Sequence, residues 1–262
     1  MQALHTAATG MAAQELSVQV ISNNIANLQT TGYKKQTADF QDLIYEHVRR
    51  VGAQSSDQGT LLPIGIDIGG GVKTVGTPRS MTQGTLSQTG NDLDLAITGE
   101  GFFKILMPDG TYQYTRDGTL QMDATGRIVN AQGNPVQPTI TIPNNASGLT
   151  VNAQGQVSVT LPGTTTSSII GQIGLTRFIN KAGLQPVGNN LFTDTPASGA
   201  PQDGLASAEG YGNITQGSLE QSNVDVVSEM SNLIAAQRAY EMNAKVITAA
   251  DQMLQSTTAL FR

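Results

Sequence analysis

Apolar positions recur every seven residues at both ends of the chain and alternate with polar ones in the middle. Leu4, Met11, Val18 and Ile25 stand seven apart, and Ala7, Gln14, Ile21 and Leu28 follow each of them by three. On a helix this draws one a/d seam with a single polar intrusion at Gln14. Gly32 supplies the stop after Thr31. Toward the other end, Val226, Leu233, Tyr240, Ile247, Leu254 and Phe261 make an unbroken stripe, widened by Met230, Ile234 and Ala244. Gln237 and Asp251 interrupt its second row, so the pattern departs from a two-stranded zipper. Ser222 or Asn223 is expected to cap this helix, with Asp225 in its first turn.

Glycine and proline divide the chain in the same way. Neither occurs from Met11 to Thr31 or from Ser218 to Arg262, and every proline lies between Pro63 and Pro201. Glycine costs about 1 kcal/mol and proline about 3 in a helix interior, so the ends read as helix and the middle does not. In the middle, Leu93, Leu95 and Ile97 alternate with Asp94 and Ala96. Pro108-Asp109-Gly110, Asp117-Gly118, Thr125-Gly126 and Asn134-Pro135 then punctuate short apolar runs. Short strands with frequent turn signals predict a mainly-β domain. The expected class is α+β: residues 1–35 and 215–262 as a coiled-coil-like helical domain, 36–75 as an extended arm, and 76–214 as a central β domain.

The stripes admit two readings. The terminal helices pack on each other within one chain, or their seams are completed by further copies. A lone pair of helices buries one narrow seam, and Ile21, Tyr240, Met242 and Met253 widen the apolar surface beyond that. Burial that needs neighbouring chains is the expectation.

Charge then narrows the function. Only 13% of residues are charged, against about 25% in ordinary soluble domains. The net charge of −6 gives no basic field for nucleic acid. No apolar run reaches the roughly 18 residues of a membrane span, and no cleaved secretory signal is read at the N-terminus. With no cysteine, thiolate metal sites and disulfides are out of reach.

Catalytic chemistry finds little footing. His5 and His47 are the only histidines, and no Gly-x-Ser-x-Gly elbow accompanies them. Gly69-Gly70-Gly71-Val72-Lys73-Thr74 departs from a phosphate loop because Val72 separates glycine from lysine. Asp92 and Asp94, with Glu100, form a carboxylate set without a fixed spacing. Asn145 and Asn213 begin glycosylation-like triplets that are common in unmodified loops. A secreted enzyme with helical tails is the alternative class to a structural polymer. No cofactor, metal or catalytic residue is expected.

Several motifs together carry a resemblance. Ile21-Ser-Asn-Asn-Ile-Ala-Asn27 with Thr30-Thr-Gly-Tyr-Lys34 resembles the N-terminal signature of bacterial flagellar rod and hook proteins. Asn223-Val-Asp-Val-Val227, Glu229-Met230, Leu233-Ile-Ala-Ala-Gln-Arg-Ala-Tyr240 and Asn243 resemble their C-terminal signature. Leu93 to Ile97, Gly101-Phe-Phe103 and Tyr114-Thr-Arg-Asp-Gly118 resemble the family's β-domain motifs. Gly52-Ala-Gln-Ser-Ser56 through Leu61-Leu-Pro63 is similar to an insertion of the distal-rod branch, with the proximal-rod branch as the alternative.

The resemblance implies an axial subunit of the flagellar basal body. It polymerises helically into a stiff hollow shaft that encloses the export channel and carries torque to the hook. The implied partners are copies of itself, proximal rod proteins, the hook protein, the periplasmic and outer-membrane rings and the flagellar type III export apparatus. The implied location is a rod crossing the periplasm, reached without signal cleavage. Expected helix-packing residues between subunits are Leu4, Met11, Val18, Ile21, Ile25, Val226, Met230, Leu233, Tyr240, Ile247 and Leu254. Gln54, Ser55, Ser56, Leu61 and Leu62 are expected to form an arm bracing neighbouring subunits, since Gln and Ser add hydrogen bonds without desolvating a charge.

Overall fold

The computed structural model describes residues 2–52, 64–163 and 167–260. It has helices at both ends and strands between them, an α+β fold. The expected arm residues Gln54, Ser55, Ser56, Leu61 and Leu62 lie outside the described residues. Two compact units divide the chain, Met1–Ile25 with Gln36–Pro78 and Asp225–Arg262, and Ala26–Lys35 with Arg79–Val224.

The helical unit holds α1 (Gln2–Ala26) and α2 (Val226–Leu260). Asp225, rather than Ser222 or Asn223, caps α2. Its carboxylate accepts from the Val227 amide and the Ser228 hydroxyl, satisfying donors that a helix start leaves open. Ser222 instead accepts from the Val224 amide, and the Asn223 side chain binds elsewhere.

Between the helices in sequence lies a narrow antiparallel ribbon. Asp39–Asp42 pairs with Val72–Gly76, and Tyr45–Arg49 with Ile66–Gly69. The ribbon is tied to the first turns of α1. Thr9 Oγ1 accepts from the Val72 amide, His5 Nδ1 lies 3.4 Å from the Gly70 carbonyl, and Gln2 bonds Glu46. Gly71, at φ +114°, passes where a Cβ would collide with Thr9, so the glycine run is a close crossing on α1 rather than an anion cradle.

The β-rich unit is built from short antiparallel pairings. Its largest sheet has the order Val136–Gln137, Phe103–Leu106, Tyr112–Thr115, Leu191–Thr193, Gln185–Gly188. A three-stranded sheet of Gly148–Val151, Gln156–Thr160 and Ser167–Gln172 stands beside smaller pairs. Leu95, Ile97, Phe103, Ile105, Val157, Ile173, Leu175 and Ile214 form the centre of one core. Phe102, Tyr114, Phe178 and Phe192 form an aromatic one with edge-to-face contacts.

One hairpin turn recurs in sequence and geometry. In Asp123-Ala-Thr-Gly-Arg127, Asn130-Ala-Gln-Gly-Asn134 and Asn152-Ala-Gln-Gly-Gln156, the first side chain accepts from the amides two and four residues on. The glycine has positive φ in each. This is the Asx turn closing a hairpin through a left-handed residue.

Candidate functional site

The two terminal helices run antiparallel. Gly10 faces Asn243 so closely that an added Cβ would sit 2.9 Å from its Nδ2, and Asn24 donates to Glu229 Oε2 at 3.1 Å. Advancing along α1 therefore moves backward along α2 by the same number of residues. Glu229, Ala236, Asn243 and Ala250 recur every seven residues, and all but Asn243 are buried. Ala7, Ala13, Val20 and Asn24 are buried on α1. The seam thus holds mostly small residues and asparagines, with Val20 and Glu229 beside them. Alanine and glycine let helix backbones approach closely, at the expense of the apolar area that larger side chains would bury.

Asn24 closes one end of this seam. Its side chain also donates to the Gln36 carbonyl at 2.8 Å and accepts the Gln36 amide at 3.0 Å. Asn24 and Glu229 are 1% and 0% exposed. A buried polar pair in an otherwise small-residue seam specifies register, because sliding the helices would strand both groups away from partners.

Much of the large apolar stripe on α2 is left exposed. Met230 is 53% exposed, Tyr240 and Leu254 each 44%, and Val226 36%. Leu233 and Ile247 are half-buried. Ile234, Met242, Val246 and Met253 add further exposed apolar surface. On α1, Leu4, Met11, Val18, Ile21 and Ile25 are all half-buried. The ribbon repeats the theme, with Ile44, Val48, Val51, Ile64 and Ile66 at least half exposed.

The β-rich unit contains a buried charge cluster. Lys34, Glu220 and Arg116 are 1%, 0% and 4% exposed at their side chains. Lys34 Nζ donates to Glu220 Oε1 at 2.5 Å and to the Thr82 carbonyl at 2.8 Å. Arg116 donates to Glu220 Oε2 at 3.2 Å and to the Gly99 carbonyl at 2.6 Å. Burial lowers the Lys34 pKa, and the Glu220 carboxylate offsets part of that shift.

Asp94, Glu100 and His47 are each engaged in structural bonds. Asp94 accepts from Thr89 Oγ1 and Asn91 Nδ2, and Glu100 pairs with Lys181. His47 pairs across the ribbon with Asp67 at 2.6 Å. A cavity of about 440 Å³ is floored by Gly174 and Gly204, and its charged groups, Lys104 and Asp203, bind each other at 2.6 Å. Among the described residues no three His, Asp or Glu side chains gather as a metal site, and no helix is long and apolar enough to cross a membrane.

Asn24, Glu229, Lys34 and Arg116 were absent from the expected site residues, although each stands inside a quoted signature motif. Glu229 stands among apolar residues in Val226-Val-Ser-Glu-Met230, whereas nothing in the local pattern sets Lys34 or Arg116 apart.

Three stretches match protein-family models. Residues 4–34 match the flagella basal body rod protein, 96–159 the flagellar hook protein FlgE/F/G D1 domain, and 215–260 the flagellar basal body rod FlgEFG protein C-terminal. The chain is 51% identical over 260 residues to the flagellar basal-body rod protein FlgG of Caulobacter vibrioides, spanning 99% of both. It is 47% identical over 253 residues to that of Agrobacterium fabrum, spanning 97% of both. The Helicobacter pylori flagellar hook protein FlgE2 is 14% identical, with a TM-score of 0.25 over 60% of this chain and 47% of that one, a likeness that carries no argument.

Proposed function

The chain belongs to the flagellar basal-body rod protein family, and on that premise we propose how this distal-rod structural subunit assembles. The exposed stripe of α2 is the principal polymerisation face. Val226, Met230, Leu233, Tyr240, Ile247 and Leu254 pack on neighbouring copies, and Leu4, Met11, Val18, Ile21 and Ile25 complete those contacts from α1. One observation carries the reading: the buried face of α2 uses small residues, while Met230, Tyr240 and Leu254 of its apolar stripe stay exposed. Water-exposed apolar area of this size gains about 25 cal/mol per Å² when a neighbour covers it.

The polymer is a hollow torque-carrying shaft around the export channel. It crosses the periplasm between proximal rod proteins and hook protein, turns within the surrounding rings, and receives its subunits through the flagellar type III export apparatus. Family membership supports these partners. Gln54, Ser55, Ser56, Leu61 and Leu62 brace adjacent subunits, a role supported by the exposed ribbon strands that flank them.

Polymerisation of purified full-length variants tests the helix assignment. Tyr240→Asp and Leu254→Asp place a carboxylate on the exposed stripe, so the monomer keeps its helical circular dichroism while polymers fail to form. Ala236→Asp instead strikes the subunit's own seam and lowers helicity in the monomer. Normal rods from both stripe variants would refute the assignment.

A further inference from the structure

The chain passes between the two units at four points, and the residues flanking three of them in the β-rich unit meet at one place. These flanking segments are residues 30–35, 79–85 and 218–224. Glu220 touches all of them. Its carbonyl accepts the Gly32 amide at 2.8 Å, and its Oε1 accepts the Gly84 amide at 2.9 Å and Lys34 Nζ at 2.5 Å.

The segments are also bonded to one another. The Ser80 amide donates to the Lys35 carbonyl, and Arg79 donates to the Lys34 carbonyl at 3.2 Å. Asn223 accepts the Lys35 amide at 2.7 Å and donates to the Ser80 and Thr82 carbonyls. Arg116, from the sheet side, holds the other Glu220 oxygen.

We infer that Glu220 is a latch that binds the three outgoing chain segments of the β-rich unit into a single stem. Separate segments of a few residues slide and twist independently. Once cross-bonded through a buried carboxylate they move together, because displacing any one of them strands a desolvated charge or amide. Hydrophobic packing would have held the segments without direction, whereas the charge cluster fixes each at a bonded distance. The latch itself is independent of assembly. Its consequence, a torsionally stiff stem under load, rests on the reading of the chain as a torque-carrying subunit.

Hydrogen exchange on the full-length unassembled chain tests the latch without involving the polymer. In Glu220→Gln, exchange of the Gly32, Lys35, Ser80 and Gly84 amides should accelerate by at least about tenfold, while Val157 and Val159 in the three-stranded sheet keep their protection. Lys34→Gln, which leaves the carboxylate its Arg116 and Gly84 bonds, should give the same pattern at smaller amplitude, and it carries the test if Glu220→Gln does not fold. Unchanged exchange at the four amides would overturn the latch. Acceleration spread equally over Val157 and Val159 would also overturn it, since that identifies a general stabiliser. The local pattern in the variants together with a parent chain that forms no rods would keep the latch and remove the polymer reading.

Discussion

Asn24 Nδ2 stands 3.1 Å from Glu229 Oε2, joining the end of α1 to the first turns of α2 across 205 residues of sequence. With the two Asn24 bonds to the Gln36 backbone, this fixes the register of a seam whose other members are too small to do so. Asn24→Ala removes all three bonds and should destabilise the helical unit by about 1–3 kcal/mol. Thermal melts followed at 222 nm will show the loss as a lower midpoint for the helical signal, with the β-rich unit unaffected.

Gly118 packs where a Cβ would collide with the Leu95 backbone carbonyl, and its own carbonyl accepts the Leu95 amide at 3.0 Å. Neither neighbour is a flexible side chain that could turn aside. Gly118→Ala is expected to cost about 1–3 kcal/mol of stability in the β-rich unit through strain of this contact. Denaturant unfolding monitored by tyrosine fluorescence measures it, and a midpoint equal to the parent's would contradict the close approach.

Burial pushes the Tyr114 phenol up to about 12, and the nearby Asp194 and Asp203 charges add to the shift. A folded value above the unfolded value of about 10 means the native state holds the proton longer. This contribution to stability is complete below about pH 10 and is lost as pH rises through the folded value. Lys34, whose value burial lowers, works in the opposite sense on the alkaline side. Tyrosinate absorbance should show one residue ionising well after the exposed tyrosines, and Tyr114→Phe should remove that late step.

Asp123 is held well below the usual carboxylate range by the Thr125 hydroxyl, the Arg127 amide and side chain and the Thr125 amide. Its contribution is present above the ordinary aspartate value and is lost as pH falls through the lowered one. Asp123→Ala should therefore make the β-rich unit less sensitive to acid over that window. Acid melts of the two proteins provide the comparison.

Deleting residues 52–63 takes away the proposed arm and removes no residue of a described helix or strand. The expected product is a folded subunit that still polymerises, but into tubes that bend more. Curvature in electron micrographs decides the matter, and straight tubes of unchanged stiffness would remove the bracing role.

The two terminal helices and the strand-rich middle were legible from the chain alone, although α1 ends at Ala26 rather than at the expected Gly32 stop, and residues 36–75 pair into strands. With no proline in either helix and Gly10 their one glycine, little breaks a helix there, and the seven-residue spacing gives each helix its apolar stripe. The frequent Asp-Gly and Asn-x-x-Gly signals close hairpins locally. These signals act over a few residues, so they are legible without a partner. Tertiary structure decided which face of α2 meets α1. Periodicity marked the stripe through Leu233 and Tyr240, yet the seam runs through Glu229, Ala236 and Asn243, because small residues permit a backbone approach that Tyr240 would block. It likewise decided that Lys34, Arg116 and Glu220 share one buried site. An ion pair between residues 34 and 220 leaves no trace in any local pattern, since its stabilisation depends on desolvation and hydrogen-bond geometry that exist only after the chain has folded.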